Sequence, residues 1–133
     1  MAINFHPAIG TIVACDFNGL NTPEMTKRRP VIIISPRFRN RDSLCTIVPI
    51  STTPPSKVMP YHYKLILDPP LPKPYNNPIC WVKGDMIYTL ATERMHMLFI
   101  GKDENGKRIY DNRIVEACDL IKIQKCILHG LGL

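Results

Sequence analysis

Six cations, Lys27, Arg28, Arg29, Arg37, Arg39 and Arg41, fall in one short stretch that contains no acid. Clustered cations without a neighbouring carboxylate raise the local positive potential, which implies a polyanionic partner, nucleic acid ahead of an acidic protein. The whole chain carries 17 Lys+Arg against 11 Asp+Glu, a net charge of +6. The other 11 cations balance the 11 acids, so this stretch supplies the entire excess. A solvated basic face is the plainer reading of the same residues. Further along, Ser51, Thr52 and Thr53 offer hydroxyls at the end of an apolar run. Lys83 and Asp85 are two apart, which on a strand sets both side chains on one face. A surface ion pair is the plainer reading of those two.

The elements that must carry these groups are mostly strands. Thr11 to Phe17 is β-prone, and Pro30 to Ser35 is a continuous β-branched run, the mark of a strand buried on both faces. Leu44 to Ile50, Tyr63 to Leu67 and Cys80 to Ile87 read as further strands. Asn105-Gly106 predicts a type I′ hairpin turn joining Leu98–Ile100 to Arg108–Tyr110. Thr92 to Met97 reads as a short helical turn. Asp111 or Asn112 is the expected cap of a helix with Val115, Cys118, Ile121 and Leu128 on one side, stopped by Gly130. Of 13 prolines, one group (Pro54, Pro55, Pro60) and a second (Pro69, Pro70, Pro72, Pro74, Pro78) mark loops between strands.

At 133 residues, with 45% apolar and 21% charged residues, the chain suits a single packed domain spanning residues 1–133. Many short strands, Pro/Gly turns and one terminal helix predict a mainly β fold, a small, strongly bent barrel or sandwich. No apolar run approaches the ~20 residues that span a bilayer, so no membrane association is expected. Met1 to Pro7 lacks the pattern of a secretory signal. The five cysteines form no C-x-x-C pair, which argues against a zinc ribbon and a disulfide framework. Reduced, half-buried thiols in a cytoplasmic protein are expected. No His/Cys/Asp/Glu group has ligand spacing, so neither metal nor cofactor is expected.

Four segments in order resemble the MazF/PemK family of toxin endoribonucleases. They are Gly10 to Phe17, Glu24 to Ser35 (with Arg29-Pro30 before the apolar strand), Val48 to Thr53, and Val82-Lys83-Gly84-Asp85. Together they cover most of the chain from Gly10 to about Arg94. The resemblance implies an SH3-like β-barrel with a C-terminal helix. It also implies a toxin of a type II toxin–antitoxin system that cuts single-stranded mRNA without a metal, leaving 2′,3′-cyclic phosphate and 5′-hydroxyl ends. It assigns Arg29 as the phosphate clamp, Ser51 with Thr52 as hydroxyl donors, and Asp85 as the base, with Lys83 where the PemK branch has arginine. Arg29 has too high a pKa for a base, so charge stabilisation is its expected role.

For RNA binding the expected set is Glu24, Lys27, Arg28, Arg37, Arg39, His62 and Trp81. Trp81 and Tyr61 offer rings for unpaired bases. Core or dimer packing is the plainer role for Trp81, and an ordinary loop histidine the plainer reading of His62. The implied partners are single-stranded RNA, a cognate antitoxin and a second copy of the chain. Three departures from the family pattern stand out. Pro23 replaces the histidine that the PemK branch carries before the glutamate of its first loop, and Lys83 loses the bidentate geometry of arginine. The Pro-rich segment Pro69 to Pro78 is longer than in the short MazF proteins and is expected to reshape the base-reading surface. The competing readings are a DNA gyrase poison of the same fold, acting through its C-terminal helix, and a non-catalytic RNA- or antitoxin-binding relative.

Overall fold

The computed structural model describes residues 2–133. Nine strands precede one helix among these residues: β1 Ile12–Cys15, β2 Arg29–Ile33, β3 Leu44–Ser51, β4 His62–Ile66, β5 Ile79–Lys83, β6 Tyr88–Ala91, β7 Met95–His96, β8 Leu98–Lys102, β9 Arg108–Asp111 and α1 Ala117–Gly130. A single 3-10 turn, Thr92–Arg94, separates β6 from β7 where a helical turn is expected. Seven strands form one antiparallel sheet in the order β4-β5-β3-β2-β1-β7, with β6 also on β3, and β8–β9 form a separate hairpin.

The fold is mainly β with a C-terminal helix, but the sheet does not close into the expected barrel. Chain outside the strands contacts both end strands of that order. Beside β4, the Tyr63 hydroxyl donates to Asp119 of α1 at 2.5 Å. Beside β7, the Ile3 N–H donates to the Met95 carbonyl at 2.9 Å. In the middle, β3 divides one edge between two partners: Leu44–Ile47 pair with β6, and Ile50 and Ser51 pair with β5. Pro49, with no N–H to donate, lies at the changeover.

Alternation along the central strands produces two cores on opposite faces. Ile12, Ala14, Ile32, Val48, Ile50 and Val82 face α1, which contributes Ile123 and Ile127. Val13, Cys15, Val31, Ile33, Cys45 and Ile47 face the other way and pack with Phe17, Met25 and Met95. That is why β2 reads as an unbroken apolar run.

Three local expectations change. Strand β5 ends at Lys83, and the Met86 N–H turns back onto the Lys83 carbonyl at 3.0 Å, so Asp85 lies in a turn and does not share a strand face with Lys83. In the β8–β9 hairpin Gly106 has φ +79° while Asn105 does not enter the left-handed region, so the turn is not type I′. Asp103 organises it instead, its Oδ1 accepting from the N–H groups of Asn105 and Lys107 at 2.9 and 2.8 Å. Glu116, not Asp111 or Asn112, precedes α1, and it makes no side-chain cap. The buried helix residues are Ile123, Cys126 and Ile127, a stripe at i, i+3 and i+4. Val115 is buried ahead of the helix, while Cys118, Ile121 and Leu128 face outward.

Candidate active site

Strand pairing draws the expected residues into rows. Arg29 is level with Cys15, and continuing the β2–β3 register from Val31↔Pro49 brings Arg29 level with Ser51. Ser51 in turn pairs with Trp81, and Trp81 with Lys64. One step along the same face, Lys83 pairs with His62. Neighbouring strands lie ~4.8 Å apart, so these two rows bring Arg29, Ser51, Trp81, Lys83 and His62 onto one surface region.

At the end of β2 and β3 a groove of about 330 Å³ is lined by Lys27, Arg28, Arg29, Pro30, Thr52 and Tyr75, among others. Lys27 and Arg28 are exposed and Arg29 is half-buried. The Arg29 Nε is shielded from solvent and meets no acceptor among the described residues. A buried donor without a partner is a position where an acceptor is missing. The Tyr75 hydroxyl donates to the Arg28 carbonyl at 3.2 Å. Burial pushes that phenol above its ordinary pKa, and the nearby charges of Arg28 and Arg29 oppose the shift. Both guanidinium groups therefore lie near enough to act on the Tyr75 phenol.

The two hydroxyl residues separate. Ser51 is buried, and its Oγ accepts from the Thr53 N–H at 3.1 Å, closing a local turn. Thr52 is exposed and lines the groove. His62 is half-buried, with its Nδ1 accepting from the Met59 N–H at 3.0 Å and its ring 4.6 Å from that of Tyr61. The neutral ring thus carries its proton on Nε2. Glu24 serves the β1–β2 loop, its Oε1 accepting from the Asn21 N–H at 2.8 Å. Asp85 is exposed, and its backbone stands against Gly130 of α1.

The basic stretch does not act as one patch. Lys27, Arg28 and Arg29 stand at the start of β2, while Arg37, Arg39 and Arg41 lie in the loop after it, roughly 13 Å of strand away. Arg37 Nε donates to the His6 carbonyl at 2.6 Å, and the Arg41 guanidinium lies 4.8 Å over the Phe38 ring. Arg39 is exposed in that loop. The Pro69–Pro78 segment, expected to reshape the base-reading surface, brings Pro74 and Tyr75 to the groove, two residues that the sequence did not single out individually.

Two other groups bear on the chemistry. Cys15, Cys45, Cys80 and Cys126 are free and buried, and Cys118 is free and exposed. Burial pushes the Cys15 thiol up to about 12 and the Cys45 thiol up to about 11. The ligand atoms of Glu116, Cys118 and Asp119 lie within 4.8 Å of one another, a grouping that linear spacing did not reveal. It is open to solvent, and Asp119 already accepts from Tyr63.

The architecture is shared with solved toxin structures. An endoribonuclease from a mycobacterial species, in complex with its cognate antitoxin, matches at 21% identity over 96% of each chain with a TM-score of 0.64. MazF from Deinococcus radiodurans matches at 18% identity over 96% of this chain and 98% of that one, with a TM-score of 0.68. Mycobacterium tuberculosis toxin MazF-mt6 matches at 17% over 92% and 97%, with a TM-score of 0.57. No curated protein sequence matches the chain. The model of one family matches residues 8–117. The chain belongs to that family, the PemK-like, MazF-like toxins of type II toxin–antitoxin systems. Among the described residues no helix is long and apolar enough to cross a membrane.

Proposed function

We propose that this toxin is an endoribonuclease that cuts single-stranded RNA at the groove between β2 and β3. The observation that carries the reading is the cationic groove in which the Arg29 Nε is buried without an acceptor, in a chain of this toxin family. The substrate's own 2′-hydroxyl is the nucleophile. Its oxygen bonds to the adjacent phosphorus as the P–O5′ bond breaks, leaving a 2′,3′-cyclic phosphate and a 5′-hydroxyl. One proton leaves O2′ and one reaches O5′, so no metal-bound water is needed as nucleophile. Arg29 takes the charge that builds on the non-bridging oxygens, with Lys27 and Arg28 beside it. Thr52 supplies the hydroxyl donor, since it lines the groove, whereas Ser51 is buried with its O–H directed at the Thr53 carbonyl at 3.5 Å. Proton transfer is assigned to Asp85 with Lys83 by the family resemblance alone, as neither residue lines the groove. The reading includes a cytoplasmic setting, an antitoxin that covers the groove and a second copy of the chain.

The test is cleavage of a single-stranded RNA in EDTA with analysis of the product ends. The parent protein should yield cyclic phosphate and 5′-hydroxyl ends. Arg29→Ala should lose roughly a hundredfold to a thousandfold in rate, the usual effect of removing one charge-stabilising donor, with its circular dichroism unchanged. Growth arrest that survives Arg29→Ala would move function elsewhere. The exposed Leu128, Leu131 and Leu133 of the C-terminal face would then be the place to look for gyrase poisoning.

A further inference from the structure

The proline-rich segment after β4 does more than turn the chain. Arg113 fixes one end: it pairs with Asp111, Nε to Oδ1 at 3.0 Å, and donates to the carbonyls of Pro69 and Pro70, the latter at 3.3 Å. The Tyr75 hydroxyl fixes the other end on the Arg28 carbonyl at 3.2 Å. Between these anchors the segment stands off β8 and leaves two cavities. One, of about 470 Å³, is lined by Pro69, Pro70, Phe99, Ile100 and Arg113, among others. The next, of about 350 Å³, shares Pro72, Lys73 and Phe99 with it and adds Arg28, Tyr75 and Met97. That second cavity shares Arg28, Pro74 and Tyr75 with the groove at Arg29. The three adjoin one another through these shared residues, a row of cavities, here called the trough, from the β8–β9 hairpin to the candidate active site.

We propose that this trough holds the single-stranded RNA on one side of the scissile phosphate, with unpaired bases stacked on Tyr75 and Phe99 and phosphates met by Arg28 and Lys73. The proposal rests on the endoribonuclease reading and extends it to flanking nucleotides. Much of the trough's lining is apolar, from Pro69, Pro70, Pro72 and Pro74, and its two aromatic rings, Tyr75 and Phe99, suit bases of any sequence, the Phe99 ring already carrying the Arg108 guanidinium at 5.4 Å. Exposed cations, Arg28 and Lys73, alternate with those rings. The carboxylate of the lining, Asp111, is already paired with Arg113, so it does not repel a phosphate chain. An acidic peptide would also meet the cations, but ring faces interleaved with cations favour a stacked single strand.

The experiment compares kcat/KM for a minimal RNA around one cleavage site with the same RNA extended by several nucleotides on its 5′ or its 3′ side. One extension should raise kcat/KM in the parent protein, and Phe99→Ala should reduce that long-to-short ratio by about tenfold, the effect of one lost base stack. Lys73→Glu should reduce the same ratio and leave the other extension unaffected. Phe99 is half-exposed and Lys73 fully so, and circular dichroism checks that both variants fold. A ratio that neither variant changes overturns the proposal while leaving the endoribonuclease reading intact. Should the parent cleave neither RNA, binding of a labelled hexauridylate decides. Parent-level binding by Phe99→Ala overturns the trough, and weakened binding supports it as an RNA site without catalysis. Equal binding of that probe by parent and variants, with an acidic Leu/Glu peptide bound by the parent alone, assigns the trough to a protein and also overturns the proposal.

Discussion

Gly130 and Gly84 meet backbone to backbone: a Cβ on Gly130 would stand 2.6 Å from the Gly84 carbonyl oxygen. In the other direction, a Cβ on Gly84 would stand 2.7 Å from the Tyr61 carbonyl oxygen and 2.8 Å from the carbonyl carbon of Cys126. The last turn of α1 is thus seated directly on the turn that presents Asp85. Neither contact involves a flexible side chain that could swing aside.

Substituting either glycine should therefore destabilise the fold. Gly130→Ala and Gly84→Ala should each cost about 1–3 kcal/mol, the range for overpacked sites. Alanine's better helix propensity, about 1 kcal/mol, offsets part of this at Gly130 only. Urea unfolding of the two variants checks it; a Gly84→Ala protein as stable as the parent would mean that α1 docks less closely than described.

Stability should also fall on the acid side through Asp111. Its hydrogen bonds to Arg113 hold the carboxyl below its ordinary 3.8, although burial opposes the shift. A carboxylate with a depressed folded-state pKa stabilises the fold above its unfolded value, and this contribution disappears as pH falls through the folded value. Asp111→Asn should lower stability at neutral pH and flatten the stability curve below about pH 4. Unfolding midpoints measured between pH 2 and 7 give the comparison, and parallel curves would rule the pair out as a source of acid sensitivity.

Thiol chemistry should be confined to one position. Thiolate is the reactive form, and burial raises the pKa of Cys15, Cys45, Cys80 and Cys126. Ellman's reagent at pH 8 should titrate a single fast thiol in the folded chain, Cys118, and all five in denaturant. Two or more fast thiols in the native protein would contradict the burial.

The salt dependence of RNA binding should separate the two halves of the basic stretch. In an Arg29→Ala background, which slows turnover, Lys27→Gln with Arg28→Gln should flatten the log–log salt slope by about 0.7 for each phosphate no longer neutralised. Arg37→Gln with Arg39→Gln, at the far end of β2, should change it less. The reverse ranking would place the RNA on the β2–β3 loop.

Much of this frame was readable along the chain, because strands β1 to β5 each carry a strong local signal. The run Val31–Ile34 and its neighbours Thr11–Phe17 and Leu44–Ile50 needed no tertiary information to be read as strands. Positions that depend on a distant partner were not readable. Which side of α1 is buried is set by its seat on Gly84, so a stripe chosen from Cys118, Ile121 and Leu128 was the exposed one. The cations from Lys27 to Arg41 are close in sequence, but a rigid strand between them holds the two groups apart. Ser51 and Thr52 look alike in sequence, yet the turn at Thr53 takes the hydroxyl of one and leaves the other facing the groove. Tyr75 joined the site only through its bond to the Arg28 carbonyl, a contact spanning 47 residues of chain.

The acceptors that anchor the proline segment are all main-chain carbonyls, those of Pro69, Pro70 and Arg28, and the one side chain it contributes is the Tyr75 hydroxyl. A carbonyl is present whatever side chain its residue carries, and none of the bonds that hold the arch in place uses the side chain of Pro72, Lys73 or Pro74. The exposed side chain of Lys73 is therefore free to change charge or size without loosening the arch. The segment can vary in what it displays while the groove beneath it keeps its shape, so new ligand preferences can evolve here with little risk to folding.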